Sequence, residues 1–141
     1  MKYARMAAMA PATVAVTAAL AGGGGAAQAA DDTALVPYPG PDAVVWLPEQ
    51  TGSGGVVSSG LNSRLDTRIT VACQGGGSIE VTFEAHNLPE YTPVTFALDC
   101  PTDTPAERTV QLGAGLSGSF GVQVSATDPG IRWGLAVAQP E

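Results

Sequence analysis

Ser78-Ile79-Glu80-Val81-Thr82-Phe83-Glu84-Ala85-His86 is the stretch that decides the fold class. Apolar and polar side chains alternate along it without a break. Ile79, Val81, Phe83 and Ala85 fall on one side; Ser78, Glu80, Thr82, Glu84 and His86 fall on the other. A strand turns successive side chains to opposite faces, whereas a helix would scatter this set around its circumference. The stretch therefore reads as a strand with one face in a core and one in water.

The same period repeats on both sides of it. Upstream, Ile69, Val71 and Cys73 share the inner face, while Arg68 and Thr70 point out. Downstream the inner sets are Val94, Phe96, Leu98 and Cys100; Val110 and Leu112; Phe120, Val122, Val124 and Ala126; and Ile131, Trp133, Leu135 and Val137. Short strands at close intervals, separated by Gly and Pro turns, imply an all-β chain: a small antiparallel sandwich, immunoglobulin-like or jelly-roll-like, of about seven strands. Register arithmetic predicts two hairpins. A loop over residues 74–78 would pair Val71 with Val81 and Arg68 with Glu84. A loop over 127–130, holding Asp128-Pro129-Gly130, would pair Val124 with Trp133 and Val122 with Leu135.

Before residue 61 the pattern loosens. Residues 30–60 read as an arm rich in Pro and Gly, with Pro37, Pro39 and Pro41 keeping its first part extended and one short strand over Ala43–Leu47. Residues 48–60 read as a flexible Gly/Ser loop. Residues 61–141 would form the sandwich. Trp46 and Trp133 are expected in the core, and Tyr38 and Tyr91 in or beside loops, where exposed aromatic rings can stack on sugars or partner chains.

Residues 1–29 have the layout of a secretory signal peptide. Lys2 and Arg5 precede an Ala-rich apolar run, Met6 to Leu20, and the Gly22–Gly25 run leads to an A-x-A cleavage site at Ala27-Gln28-Ala29. The apolar run is shorter than the roughly 20 residues a spanning helix needs. Cleavage before Ala30 would give a secreted protein without a membrane span. An oxidising destination favours pairing of the two cysteines. Cys73 and Cys100 both face inward and end strands that run the same way, so a Cys73–Cys100 disulfide is expected. It would close a loop of about 28 residues, which stabilises by about 3–3.5 kcal/mol.

The 141-residue chain has 6 basic and 13 acidic residues and a net charge of −7. Its only lysine, Lys2, lies in the leader. After cleavage, Arg64, Arg68, Arg108 and Arg132 are the only cations left besides the new N-terminus. Phosphate backbones are bound through clustered Lys and Arg, so nucleic acid is not an expected partner. Several motif matches dissolve on inspection. Gly113-Ala114-Gly115-Leu116-Ser117-Gly118 spells a dinucleotide fingerprint, but a strand follows it where a helix is required. Leu47-Pro48-Glu49-Gln50-Thr51-Gly52 has one residue too many for a sortase signal. Glu80, Glu84 and His86 sit in line along one strand, Glu84 roughly 7 Å from His86 and roughly 13 Å from Glu80, too far to close on one ion. Asp99, Asp103, Glu107 and Asp128 lack the dense spacing of a calcium loop. His86 is the sole histidine, and no serine sits in a nucleophile elbow. No catalytic, cofactor-binding or metal-ligating set is expected.

Cys73 before the Gly75–Gly77 run, Leu98-Asp99-Cys100-Pro101, and the ending Ile131-Arg132-Trp133-Gly134-Leu135-Ala136-Val137 give residues 65–141 a resemblance to small secreted β-sandwich proteins of high-GC Gram-positive bacteria. The resemblance implies the fold and export but no particular activity. Neocarzinostatin-type carriers and subtilisin-inhibitor-type proteins share the size and the export but carry more disulfides. The expected role is a non-enzymatic secreted module, structural or binding, that meets an extracellular ligand or protein. A small-molecule carrier or a secreted protease inhibitor is the alternative.

Overall fold

Each alternating run becomes a strand in the computed structural model, which describes residues 34–141. The expected signal peptide and its cleavage site lie outside the described residues. The strands are β1 (Ala43–Thr51), β2 (Gly54–Leu61), β3 (Thr67–Gln74), β4 (Ser78–Ala85), β5 (Val94–Asp99), β6 (Ala106–Gly113), β7 (Gly118–Ala126) and β8 (Arg132–Ala138). They form two four-stranded antiparallel sheets, ordered β1-β8-β3-β6 and β2-β7-β4-β5. Consecutive strands alternate between the sheets except at β4–β5, which form the one hairpin of neighbours. This is the jelly-roll order.

That order corrects both expected hairpins. Val71 pairs with Leu135 and Arg108, not with Val81. Val124 pairs with Gly54 and Val81, not with Trp133. The inward faces were read correctly, but alternation does not say whether two inward residues lie side by side or face each other across the core. The turn after β3 sends the chain across. Gly75, Gly76 and Gly77 all have positive φ (126°, 89° and 74°), which side chains with a Cβ rarely adopt. Gly75 and Gly76 donate their N–H groups to Pro101 and Cys100, which fixes the crossing against the end of β5.

A second correction concerns residues 48–60. They are not a flexible loop: β1 runs to Thr51, and β2 occupies most of the rest as an eighth strand. The glycines there permit close approach. A Cβ on Gly55 would stand 2.5 Å from the Val122 carbonyl oxygen on β7.

The core lies between the sheets. Ile69, Val71, Trp133, Leu135 and Val137 of one sheet meet Ile79, Val81, Phe83, Phe120, Val122 and Val124 of the other, all almost fully buried. Each such side chain contributes roughly 1.5–3 kcal/mol of transfer free energy. Phe83 and Phe120 stack with centroids 5.4 Å apart. The Trp133 indole N–H, which could not be buried unpaired at low cost, donates to the Gly52 carbonyl. Cys73, on β3 of the first sheet, is bonded to Cys100, just past β5 of the second, with Cα atoms 5.1 Å apart. The disulfide thus staples sheet to sheet.

Candidate functional site: a cleft on the outer face

β8 carries small residues on its outward face, and this creates a recess. Ala136 pairs with Trp46 of β1 and Thr70 of β3, and Thr70 pairs in turn with Thr109 of β6. Trp46, Ala136, Thr70 and Thr109 therefore form one row across the sheet. The next row holds Ala138, Arg68 and Gln111. The Thr70 and Thr109 hydroxyls hydrogen-bond each other at 3.0 Å.

The segment before β1 walls this recess. Leu35 N–H donates to the Pro48 carbonyl, the Trp46 indole N–H donates to the Val36 carbonyl at 2.8 Å, and Gln139 N–H donates to the Asp42 carbonyl. The arm thus runs antiparallel to β1, from the level of Pro48 to that of Gln139. Val36 is buried with Ala72 and Ala136 in a small cluster of their own, against which Leu35 and Trp46 pack. Trp46 was expected in the main core. It stands instead on the outer face, because β1 turns Leu47 inward and the arm needs an anchor. Pro37 and Pro39 hold the backbone on each side of Tyr38 extended. Tyr38 remains 58% exposed, its ring 5.1 Å from Trp46 and tilted by 59°.

The result is an open cleft of about 300 Å³. Val36 to Pro39 form one wall, Ala136 and Ala138 the floor, and Arg68, Thr70, Glu107 and Thr109 the polar side. It offers an aromatic face, a hydroxyl pair, one cation and one carboxylate. Tyr38 was legible in the sequence as an exposed ring. The other lining residues were not, because the β6-β3-β8 neighbourhood that gathers them is non-local.

The remaining sequence-marked residues sit elsewhere. His86 is exposed, as its outward position required, and lies on the outer face of the second sheet. It shares an open groove of about 310 Å³ there with Glu84, Gln123, Gly55 and Gly121. Its Nδ1 is 3.5 Å from the Ser119 hydroxyl, a proximity that sequence spacing could not show. That hydroxyl has a closer acceptor in Asn87 Oδ1, at 3.2 Å. In a catalytic triad a third group orients the imidazole; among the described residues His86 has no such hydrogen bond or ion pair. Asp103 Oδ1 accepts from the Thr102 hydroxyl, and Asp128 Oδ1 accepts from Gly130 N–H. Among the described residues no three His, Cys, Asp or Glu side chains come together as a metal site. Gly113–Gly118 is the turn from β6 to β7, with Gly113, Gly115 and Gly118 at positive φ. Tyr91 packs edge-on against Phe83, and its burial pushes the phenol pKa up. Among the described residues no helix is long and apolar enough to cross a membrane.

No protein-family model and no curated protein matches the chain. Among solved structures it is similar to a Family 16 Carbohydrate Binding Module-2, at 11% identity and a TM-score of 0.45, over 77% of this chain and 82% of that one. It is also similar to the CBM22-1 xylan-binding domain from Paenibacillus barcinonensis Xyn10C, at 8% identity and a TM-score of 0.43, over 70% and 94%. A third is the CBM22-1–GH10 structure of Clostridium thermocellum endo-1,4-beta-D-xylanase 10B, at 7% identity and 0.43, where 60% of this chain matches only 19% of that one. With TM-scores below 0.5, these likenesses lend nothing to the reading of the cleft, which stands on its own residues.

Proposed function

We propose that the protein is a non-enzymatic, secreted binding module whose outer-face cleft seats a saccharide. The observation that carries this is Tyr38, an exposed ring packed at a tilt against Trp46 in the wall of a cleft that has a small-residue floor and a row of hydrogen-bonding side chains. A sugar ring has an apolar C–H face suited to an aromatic platform, and its hydroxyls need donors and acceptors held in place. Thr70, Thr109, Arg68 and Glu107 supply both kinds, on backbone that the sheet already holds in place. A ligand meets this sandwich from outside, since the clefts described lie on outer faces and the facing side chains of the two sheets are buried against each other. The inter-sheet disulfide suits an oxidising compartment, in keeping with the signal layout of residues 1–29.

Calorimetric titration with a panel of neutral and acidic oligosaccharides tests the proposal. Tyr38→Ala should weaken any binding at least about fivefold, the loss of roughly 1 kcal/mol of ring contact. Because Tyr38 is exposed, its removal should leave the fold intact. Unchanged affinity in that variant would move the ligand out of this cleft, and a panel without a single binder would end the saccharide reading.

A further inference from the structure

The four arginines of the described residues are not equivalent. Arg132 donates to Glu49 Oε2 at 3.1 Å and to Gln74 Oε1 at 2.7 Å. Arg108 donates to the Ala97 carbonyl and lies over the Phe96 ring, 5.3 Å from its centroid. Arg64 belongs to the turn between β2 and β3, where its backbone N–H donates to Asn62 Oδ1. The Arg64 and Arg68 guanidinium groups have no ion-pair or hydrogen-bond partner among the described residues, and of these two only Arg68 lines the cleft. In a chain with 13 acidic residues against 6 basic ones, a cation left without an acidic neighbour in a cleft calls for a reason.

Register shows why Glu107 does not neutralise it. Glu107 pairs with Ala72, four residues along β3 from Arg68. At about 3.3 Å per residue the two positions are roughly 13 Å apart along the strands. Arg68 and Glu107 thus mark opposite ends of the cleft, with the Thr70–Thr109 hydroxyl pair between them. The arm runs toward the Gln139 level as it passes Tyr38, so the aromatic ring stands toward the Arg68 end.

Resting on the saccharide reading above, we infer that the ligand carries a carboxylate and that Arg68 receives it. A guanidinium presents two parallel N–H groups that match the two oxygens of a carboxylate, and such charge-assisted pairs are about twice as strong as neutral hydrogen bonds. A ring stacked on Tyr38 would direct a carboxyl substituent toward Arg68 and its hydroxyls toward the threonines. The excess of acidic over basic residues, which cleavage of the leader with Lys2 and Arg5 would enlarge, narrows the class further. A polyanion would be repelled at long range. The fitting ligand is a mostly neutral glycan bearing an isolated uronic acid, recognised at short range by one arginine.

The test compares an otherwise neutral oligosaccharide bearing one glucuronate with its carboxyl-reduced counterpart, both titrated calorimetrically into the protein and three variants. The acid form should bind about tenfold more tightly to the wild type. Arg68→Gln should abolish that preference while still binding the reduced form, and Tyr38→Ala should weaken both. Arg68→Lys, which keeps the charge but not the fork, should retain only part of the preference. Near-UV circular dichroism matching the wild type shows that each variant has folded. Equal affinity for the two sugars, with Tyr38 still required, would overturn the role of Arg68 and leave the saccharide seat standing. No binding of either sugar would overturn both.

Discussion

Replacing Cys73 and Cys100 together by Ser should cost more stability than any other conservative change in this chain. The two residues are 27 apart in sequence and join strands of different sheets. Freeing them releases a loop of about 28 residues in the unfolded chain. The chain-entropy relation gives about 12 cal/mol/K for that loop, or about 3.5 kcal/mol at 25 °C. The native state adds little to this. Both sulfurs are buried, but the Leu98 carbonyl lies 3.6 Å from Cys100 Sγ and 4.0 Å from Cys73 Sγ, close enough to accept a serine hydroxyl after small adjustments. A loss of about 3.5 kcal/mol corresponds to a fall in Tm of roughly 15 °C or more for a domain of about this size.

Urea unfolding of the oxidised protein and the double variant supplies two independent readouts. The free energy in water should drop by about 3–4 kcal/mol. The m-value should rise, because an unfolded chain without the cross-link exposes more surface. A drop below about 1 kcal/mol with an unchanged m-value would refute the entropic account. Two reactive thiols in the denatured, unreduced wild type would refute the bond itself.

Two smaller perturbations probe other parts of the fold. Gly55→Ala should destabilise by roughly 1–3 kcal/mol in thermal unfolding, since the new methyl would meet the Val122 carbonyl oxygen at 2.5 Å; a neutral result would mean that β2 is not seated against β7 as described. Tyr91 has a folded pKa raised above 10.0 by burial, so its stabilising effect is complete below that pH and fades as pH climbs through the folded value. Tyr91→Phe should lessen the loss of stability above pH 10, and identical alkaline profiles for the two proteins would contradict the burial of that ring.

The inward faces of β3, β4, β5, β7 and β8 were legible because each keeps a strict period of two against a buried side. Phe83, Val124 and Leu135 sit where that period puts them. The disulfide was legible for the same reason, together with the strand count between the cysteines. Partners were not legible. The pairing of Val71 with Leu135 instead of Val81 depends on a crossing at Gly75–Gly77, and three glycines in a row also suit an ordinary hairpin. β2 was missed because Gly54, Gly55 and Gly60 carry no side-chain pattern, although Gly55 is needed for the approach to β7. The cleft inherits both difficulties. Arg68 and Thr70 were correctly turned outward, but only the order β1-β8-β3-β6 brings Thr109 and Glu107 beside them and the small floor of Ala136 and Ala138 between them and the arm.

The place of β8 has a consequence for how this chain acquires its structure. The last strand in sequence is an inner strand of its sheet, between β1 and β3. A chain that still lacks residues 132–138 leaves β1 with no strand to pair with and removes Trp133, Leu135 and Val137 from the interior. The one pairing of sequence neighbours, β4 with β5, lies wholly inside the loop that the disulfide closes. Early order should therefore be confined to that hairpin, with the rest waiting on contacts far apart in the chain. Such non-local topologies fold in milliseconds to seconds. The sheet that carries the cleft thus cannot be completed until β8 is in place between β1 and β3.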